Sequence, residues 1–206
     1  MQSWGRVGRR ELHVVRPHGI PQARAAIARP GAWLAHGMGR SYGDVALNTG
    51  GTLIDTRALD HFVAFDRDEG ILEAEAGLTL EEVIRIALPH GWFLPTTPGT
   101  KHVSLGGAVA NDVHGKNHHR AGTFGCWVRR LELARSDGSL QTCRPDANAD
   151  MFNATIGGLG MTGLITRVTL QLVKVPGAFL ESEDIPFSNL GEFFDLAARS
   201  DAGGWE

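Results

Sequence analysis

The 27 glycines of this 206-residue chain fall mainly in three stretches, 37–51, 91–125 and 157–163. That clustering limits the possible folds more than any other feature. A glycine-rich turn lets backbone press against a flat or phosphorylated ligand and offer its N–H groups. Three such turns in one chain suggest a single extended ligand lying on backbone. The densest case is Val103-Ser104-Leu105-Gly106-Gly107-Ala108-Val109-Ala110, a small-residue turn with a short apolar run. Asn111-Asp112-Val113-His114-Gly115-Lys116-Asn117-His118-His119 follows at once and concentrates acids, bases and cations. A solvated polar loop after a buried turn is the plain alternative for that cluster, since such loops are common on protein surfaces.

The regular elements lie between these stretches. Residues 11–16 read as a strand, 21–28 as a helix with proline near its start, and 32–35 as a second strand. That order is a parallel βαβ unit, whose ligand normally sits at the carboxyl ends of the strands. Gly37-Met38-Gly39-Arg40-Ser41-Tyr42-Gly43-Asp44 stands at that end. Its G-x-G-x-x-x-G spacing is one residue longer than the dinucleotide fingerprint, and Val45 to Gly51 does not look helical, which disfavours a nicotinamide-binding turn. Residues 52–55, 61–65 and 71–76 read as strands of a second local sheet. Thr79 and Glu82 form a capping box for a helix burying Leu80, Val83, Ile84, Ala87 and Leu88. Residues 128–135 and 139–144 alternate around Asp137-Gly138 as a hairpin. A short helix at 148–154 precedes a long strand at 164–175. Gly158-x-Gly160-x-x-Gly163 between them copies the dinucleotide fingerprint, but the order is helix then strand, the reverse of what that fingerprint needs. An amphipathic helix at 188–198 is capped by Ser188 or Asn189.

A net charge of −3 offers no basic field to nucleic acid. Cys126 and Cys143 are the only cysteines and are not spaced for a zinc site or a disulfide framework. Met1-Gln2-Ser3-Trp4-Gly5-Arg6 lacks an apolar leader, and no run of 18 apolar residues occurs. A soluble cytoplasmic protein without a membrane span is expected. His114, His118 and His119 stand at i, i+4 and i+5, but Gly115 and Asn117 oppose a helix there. With no carboxylate or thiolate at diagnostic spacing, no metal is expected. Neither a nucleophile elbow nor a G-x-x-x-x-G-K-[ST] loop is present.

Taken together, Gly37 to Asp44, Pro98-Gly99-Thr100, Gly106-Gly107-Ala108 with Asp112 to His119, and Gly158-x-Gly160-x-Thr162-Gly163-Leu164-Ile165 resemble the PCMH-type FAD-binding domain of the vanillyl-alcohol-oxidase flavoproteins. Within it the similarity is greatest to the decaprenylphosphoryl-β-D-ribose 2′-oxidase group. The resemblance implies an α+β fold of two subdomains, a small βαβ-containing one at about 1–56 and a larger mixed-sheet one at 57–176, with FAD extended between them. Residues 177–206 would begin a following substrate domain or linker, making this chain the cofactor half of a larger enzyme.

The first glycine loop, from Ala35 and His36 through Gly37, Met38, Gly39, Arg40, Ser41, Tyr42, Gly43 and Asp44, would hold the pyrophosphate together with Gly99, Ser104, Leu105, Gly106 and Gly107. Asn111, Asp112, Val113, His114, Gly163 and Ile165 would line the flavin. His114, Lys116 and Tyr42 would act on a sugar or polyol hydroxyl while hydride passes to flavin. Covalent relatives place histidine where Arg40 stands, so FAD is expected to be held without a covalent bond. An aldonolactone or alditol oxidase using oxygen, similar to D-arabinono-1,4-lactone oxidase, and a catalytically silent flavin-binding module are the other readings.

Overall fold

The computed structural model describes residues 4–5 and 11–204. The terminal readings at Met1–Ser3, Arg6 and Trp205-Glu206 lie outside the described residues. β1 (His13–Val15), α1 (Ile20–Ile27) and β2 (Trp33–His36) form the expected strand, helix, strand succession. Pro21 sits in the first turn of α1, where its missing N–H has no helical partner to serve. Ala23 and Ile27, one turn apart, are the buried face of that helix. β1 and β2 do not pair with each other: β3 (Thr52–Asp55) lies between them, parallel to both. Residues 52–55 therefore belong to the first sheet, and the expectation that they join a second one is corrected. Leu53, Ile54 and Asp55 are all buried, as a central parallel strand covered on both faces requires.

Asp55 closes β3 and ties the carboxyl ends of this sheet together. Its side chain is 0% exposed and accepts from Arg16 Nε at 2.8 Å, Arg57 Nε at 2.8 Å and Arg57 Nη2 at 2.7 Å. Burial alone would raise the carboxyl's pKa, but the two guanidinium groups outweigh it and hold the value at about 2 against an ordinary 3.8. A depressed folded value gives stability that is fully present above the unfolded pKa and lost as pH falls through 3.8 towards 2. The difference is worth about 2 kcal/mol. Asp55→Asn is therefore expected to lose about 2 kcal/mol at neutral pH, with the gap to wild type closing as pH falls from about 5 to 2. Parallel denaturation curves across that range would contradict this.

The rest of the chain builds β4 (Phe62–Asp66), β5 (Ile71–Glu75), α2 (Leu80–Ala87), β6 (Trp92–Phe93), α3 (Leu105–Ala110) and α4 (His118–Ala121). β7 (Val128–Ala134), β8 (Leu140–Cys143), α5 (Ala149–Thr155), β9 (Leu164–Gln171), β10 (Val173–Lys174) and α6 (Leu190–Gly203) follow. An antiparallel sheet of order β4-β5-β9-β7-β8 carries the larger subdomain. α2 starts as its sequence dictates: Thr79 Oγ1 accepts from Glu82 N, and the Glu82 carboxylate accepts from Thr79 N at 2.9 Å. The strand expected over 164–175 breaks at Leu172, whose N–H turns to Gly70 O at 2.8 Å. Beyond the break, β10 leaves the sheet to pair with β6. α2 and α3 contribute Leu80, Val83, Leu105, Ala108 and Val109 to a core shared with Phe124, Leu131, Leu133 and Leu170. A smaller core joins the subdomains through Ala23, Ile27 and Ile54 on one side and Leu59, Ala134 and Leu164 on the other. α6 runs past 198 to Gly203 behind an Asn189 cap. No described helix is long and apolar enough to cross a membrane.

Candidate cofactor site

A cleft of about 660 Å³ opens between the two subdomains, bounded by the loop after β2, the segment 98–107, α3 and the turn before β9. The loop's shape follows from what anchors its start. His36 is buried and its Nδ1 lies 2.7 Å from Ala46 O. Thr56 Oγ1 donates to His36 O at 3.2 Å. Between these anchors Gly39 (φ 64) and Gly43 (φ 59) take left-handed backbone, which glycine enters without cost. Among the described residues nothing accepts from the backbone N–H groups of residues 38–43, nor from those of Gly99 and Thr100. Backbone N–H groups left without an acceptor in the chain can serve a bound anion.

The opposite wall differs from its expected role. Gly106 and Gly107 do not turn the chain; they begin helix α3, with Ser104 as N-cap. Their donors are already used: Leu105 N bonds Leu78 O, Gly106 N bonds Ala76 O (both 2.8 Å) and Gly107 N bonds Ser104 Oγ at 3.3 Å. Their contribution is space. A Cβ at Gly37 would collide with Ser104 Oγ, and one at Gly106 would come within 2.9 Å of Ala76 Cβ. Loop and helix thus approach to the limit that glycine allows. Ser41 Oγ then donates to Asn111 Oδ1 at 3.3 Å, and Asn111 Nδ2 to Gly107 O at 2.9 Å, linking the two walls.

The histidine-rich loop is fixed from behind. Gly115 N donates to Thr96 Oγ1 at 2.9 Å, Thr96 Oγ1 to Asn117 Oδ1 at 3.1 Å, and Asn117 Nδ2 to Pro95 O at 2.9 Å. A Cβ on Gly115 would meet Thr97 O at 2.6 Å, so only glycine permits this seat. The result holds His114 on the cleft wall. Its ring lies edge-on to His118, centroids 5.1 Å apart, and His118 Nδ1 is 2.8 Å from Gly115 O. α4 begins only at His118, so His114 and His118 do not share a helix.

Of the residues expected at the site, Ala35, Gly37, Met38, Gly39, Arg40, Ser41, Tyr42, Gly99, Ser104, Gly106, Gly107, Asn111, Val113, His114, Gly163 and Ile165 line the cleft. His36, Gly43, Asp44, Leu105, Asp112 and Lys116 do not. His36 and Leu105 are buried. Asp112 sits at positive φ (42) and accepts from Gly125 N at 2.8 Å, pinning the backbone behind the cleft. Lys116 is exposed on the loop beyond His114. Tyr42 is 82% exposed at the rim. The cleft also contains residues the sequence did not single out: Trp4, Leu34, Thr56, Ala76 and Leu159. Arg40 stacks on Trp4 at 5.6 Å from the ring centroid and donates to His102 O at 3.4 Å. Thr56 and Ala76 carried a hint, each directly following a largely buried strand.

Comparison with known proteins places this geometry. A family model described as "FAD binding domain" matches residues 12–144. The chain is 37% identical over 207 aligned residues to decaprenylphosphoryl-beta-D-ribose oxidase of Mycolicibacterium smegmatis, covering 98% of this chain and 45% of that protein. It is 31% identical over 139 residues to L-gulonolactone oxidase of Mus musculus, covering 66% of this chain and 31% of that one. It is 26% identical over 149 residues to a D-lactate dehydrogenase of Anaerostipes hadrus, covering 68% and 30%. The chain thus spans under half the length of these relatives.

Proposed function

Because the chain belongs to the FAD-binding domain family, we propose that it is the cofactor half of an oxidoreductase that oxidises a sugar or polyol hydroxyl, similar in chemistry to the Mycolicibacterium relative. The observation carrying this is the loop of residues 38–42 on the cleft wall, whose backbone N–H groups have no acceptor among the described residues, set against a glycine-cleared wall. FAD fits that cradle. Its diphosphate accepts backbone hydrogen bonds, and its rings suit the apolar lining supplied by Leu34, Val113 and Ile165. Arg40 adds a cation at the rim.

When bound, the flavin supplies a two-electron acceptor for hydride. The residues on this chain supply position and proton handling. His114, fixed by the Gly115 seat, takes the proton from the substrate hydroxyl as the carbon gives up hydride. Tyr42 at the rim and Lys116 on the loop beyond His114 orient the hydroxyl. His114 contributes by being held in place before reaction, not by moving into place. A substrate domain following residue 176 closes the cleft, in keeping with the 45% of the relative's length that this chain spans. We assign it to the cytoplasm, where the free thiols Cys126 and Cys143 stay reduced.

The visible spectrum of the purified chain tests the reading. Bands near about 370 and 450 nm mark bound flavin; a colourless protein that takes up no added FAD refutes it. Acid precipitation is expected to leave the yellow colour in the supernatant, since arginine at position 40 cannot form a flavin link. Colour retained in the pellet refutes non-covalent binding. Sugar-dependent bleaching by this chain alone, at rates on the order of 1–10³ s⁻¹, would show that no further domain is needed. Peroxide formed during turnover of the complete enzyme would favour the oxygen-using alternative.

A further inference from the structure

The fingerprint-like turn before β9 has a feature that the cofactor cradle does not explain. Leu159 lies at φ 51, in left-handed backbone, where a bulky side chain is a genuine outlier and carries a conformational cost. Its neighbours Gly157 (φ 69) and Gly160 (φ 77) occupy the same region freely. Leucine alone bears the cost, and its side chain gains little burial in return, being 46% exposed.

The turn is firmly held. Leu159 N donates to Ala110 O at 2.8 Å and Gly157 N to Val109 O at 3.0 Å, attaching it to the last turn of α3. Thr155 Oγ1 and Thr162 Oγ1 meet at 3.0 Å, and Arg135 bonds Thr162 O. A Cβ on Gly160 would lie 3.8 Å from Leu34 Cδ1, so the turn abuts the middle of β2. The surrounding structure therefore dictates the backbone at 159, and Leu159 lines the cleft with nearly half of its surface exposed. Leu34 is three residues before Gly37, roughly 10 Å along a strand. The turn of Leu159 thus meets the cleft beside β2, where Leu34 supplies apolar lining.

We propose that Leu159 is a cofactor-contacting residue whose side chain is kept in this unfavourable backbone to cover the face of a flat ring of FAD. The inference rests on the assignment of the cleft to FAD and adds a residue to it. A bound ring would bury the exposed half of the leucine, recovering through contact what the free protein gives up in conformation.

Leu159→Asn and Leu159→Met in the full chain separate the two effects, with apo thermal midpoint and FAD affinity by flavin fluorescence as readouts. Asparagine tolerates left-handed backbone, so Leu159→Asn is expected to raise the apo midpoint by about 2–4 °C while weakening FAD binding about tenfold. Leu159→Met keeps apolar cover and backbone cost together: affinity within about threefold of wild type and no gain in midpoint. An Asn variant that binds FAD as tightly as wild type overturns the proposal, as does one whose apo midpoint falls. So does a Met variant that binds as weakly as the Asn variant. Wild-type protein that takes up no FAD would instead bring down the cofactor assignment itself.

Discussion

In the complete enzyme, replacing His114 by alanine is expected to slow flavin reduction by about a hundredfold while FAD stays bound, because a positioned proton acceptor is typically worth 10²–10⁴ in rate. The imidazole stands on the cleft wall, but the seat that positions it belongs to Gly115, Thr96 and Asn117. Its removal leaves that framework intact. Lys116→Ala is expected to act in the same direction and by a similar factor, although Lys116 is exposed and outside the cleft lining. Anaerobic stopped-flow bleaching of the flavin band reads both, and the absorbance ratio of flavin to protein checks occupancy. A His114→Ala enzyme reduced at the wild-type rate removes the assigned role. A Lys116→Ala enzyme reduced normally beside a slow His114→Ala one confines the chemistry to the cleft wall.

How far the sequence announces such a site depends on the range over which its physics acts. The α2 capping box needs only Thr79 and Glu82, three residues apart, and the structure has it as the spacing demands. The hairpin of β7 and β8 is likewise local. The position of β3 is not, since its two partners lie some 20 and 40 residues before it and only burial on both faces selects the centre of a parallel sheet. The break at Leu172 depends on Gly70, about a hundred residues away. At the site, motif membership identified a neighbourhood without giving side-chain direction. Asp112 and His114 are two residues apart in one motif, yet one holds the backbone behind the cleft and the other faces into it. Gly106 and Gly107 were legible as points of close approach; that their N–H groups are consumed by Ala76 and Ser104 depends on how α3 meets β5 and its own cap. Trp4 reaches the cleft from outside every motif, and its stacking on Arg40 has no periodicity that could have revealed it.

The glycines of the site should separate into two kinds when given side chains. Gly99 lines the cleft, and a Cβ built there meets nothing within 4 Å. Its backbone is not in the left-handed region, so a larger residue is tolerated by the free protein. Gly99→Val should therefore leave the apo midpoint unchanged while placing two methyl groups in the space assigned to the cofactor. Crowding of that kind costs about 3 kcal/mol at the upper end, on the order of a hundredfold in Kd. Gly37→Ala is expected to behave differently. Its methyl group meets Ser104 Oγ, the atom that caps α3 by accepting from Gly107 N. Displacing that hydroxyl costs the cap, about 1 kcal/mol, and pushes loop and helix apart, so stability and FAD affinity should fall together. Thermal melts of the apo forms beside FAD titrations distinguish the two. If Gly99→Val binds FAD like wild type, no part of the cofactor passes over residue 99. If Gly37→Ala keeps both stability and affinity, Ser104 has another rotamer available and the close approach of loop to helix is not what shapes the cradle.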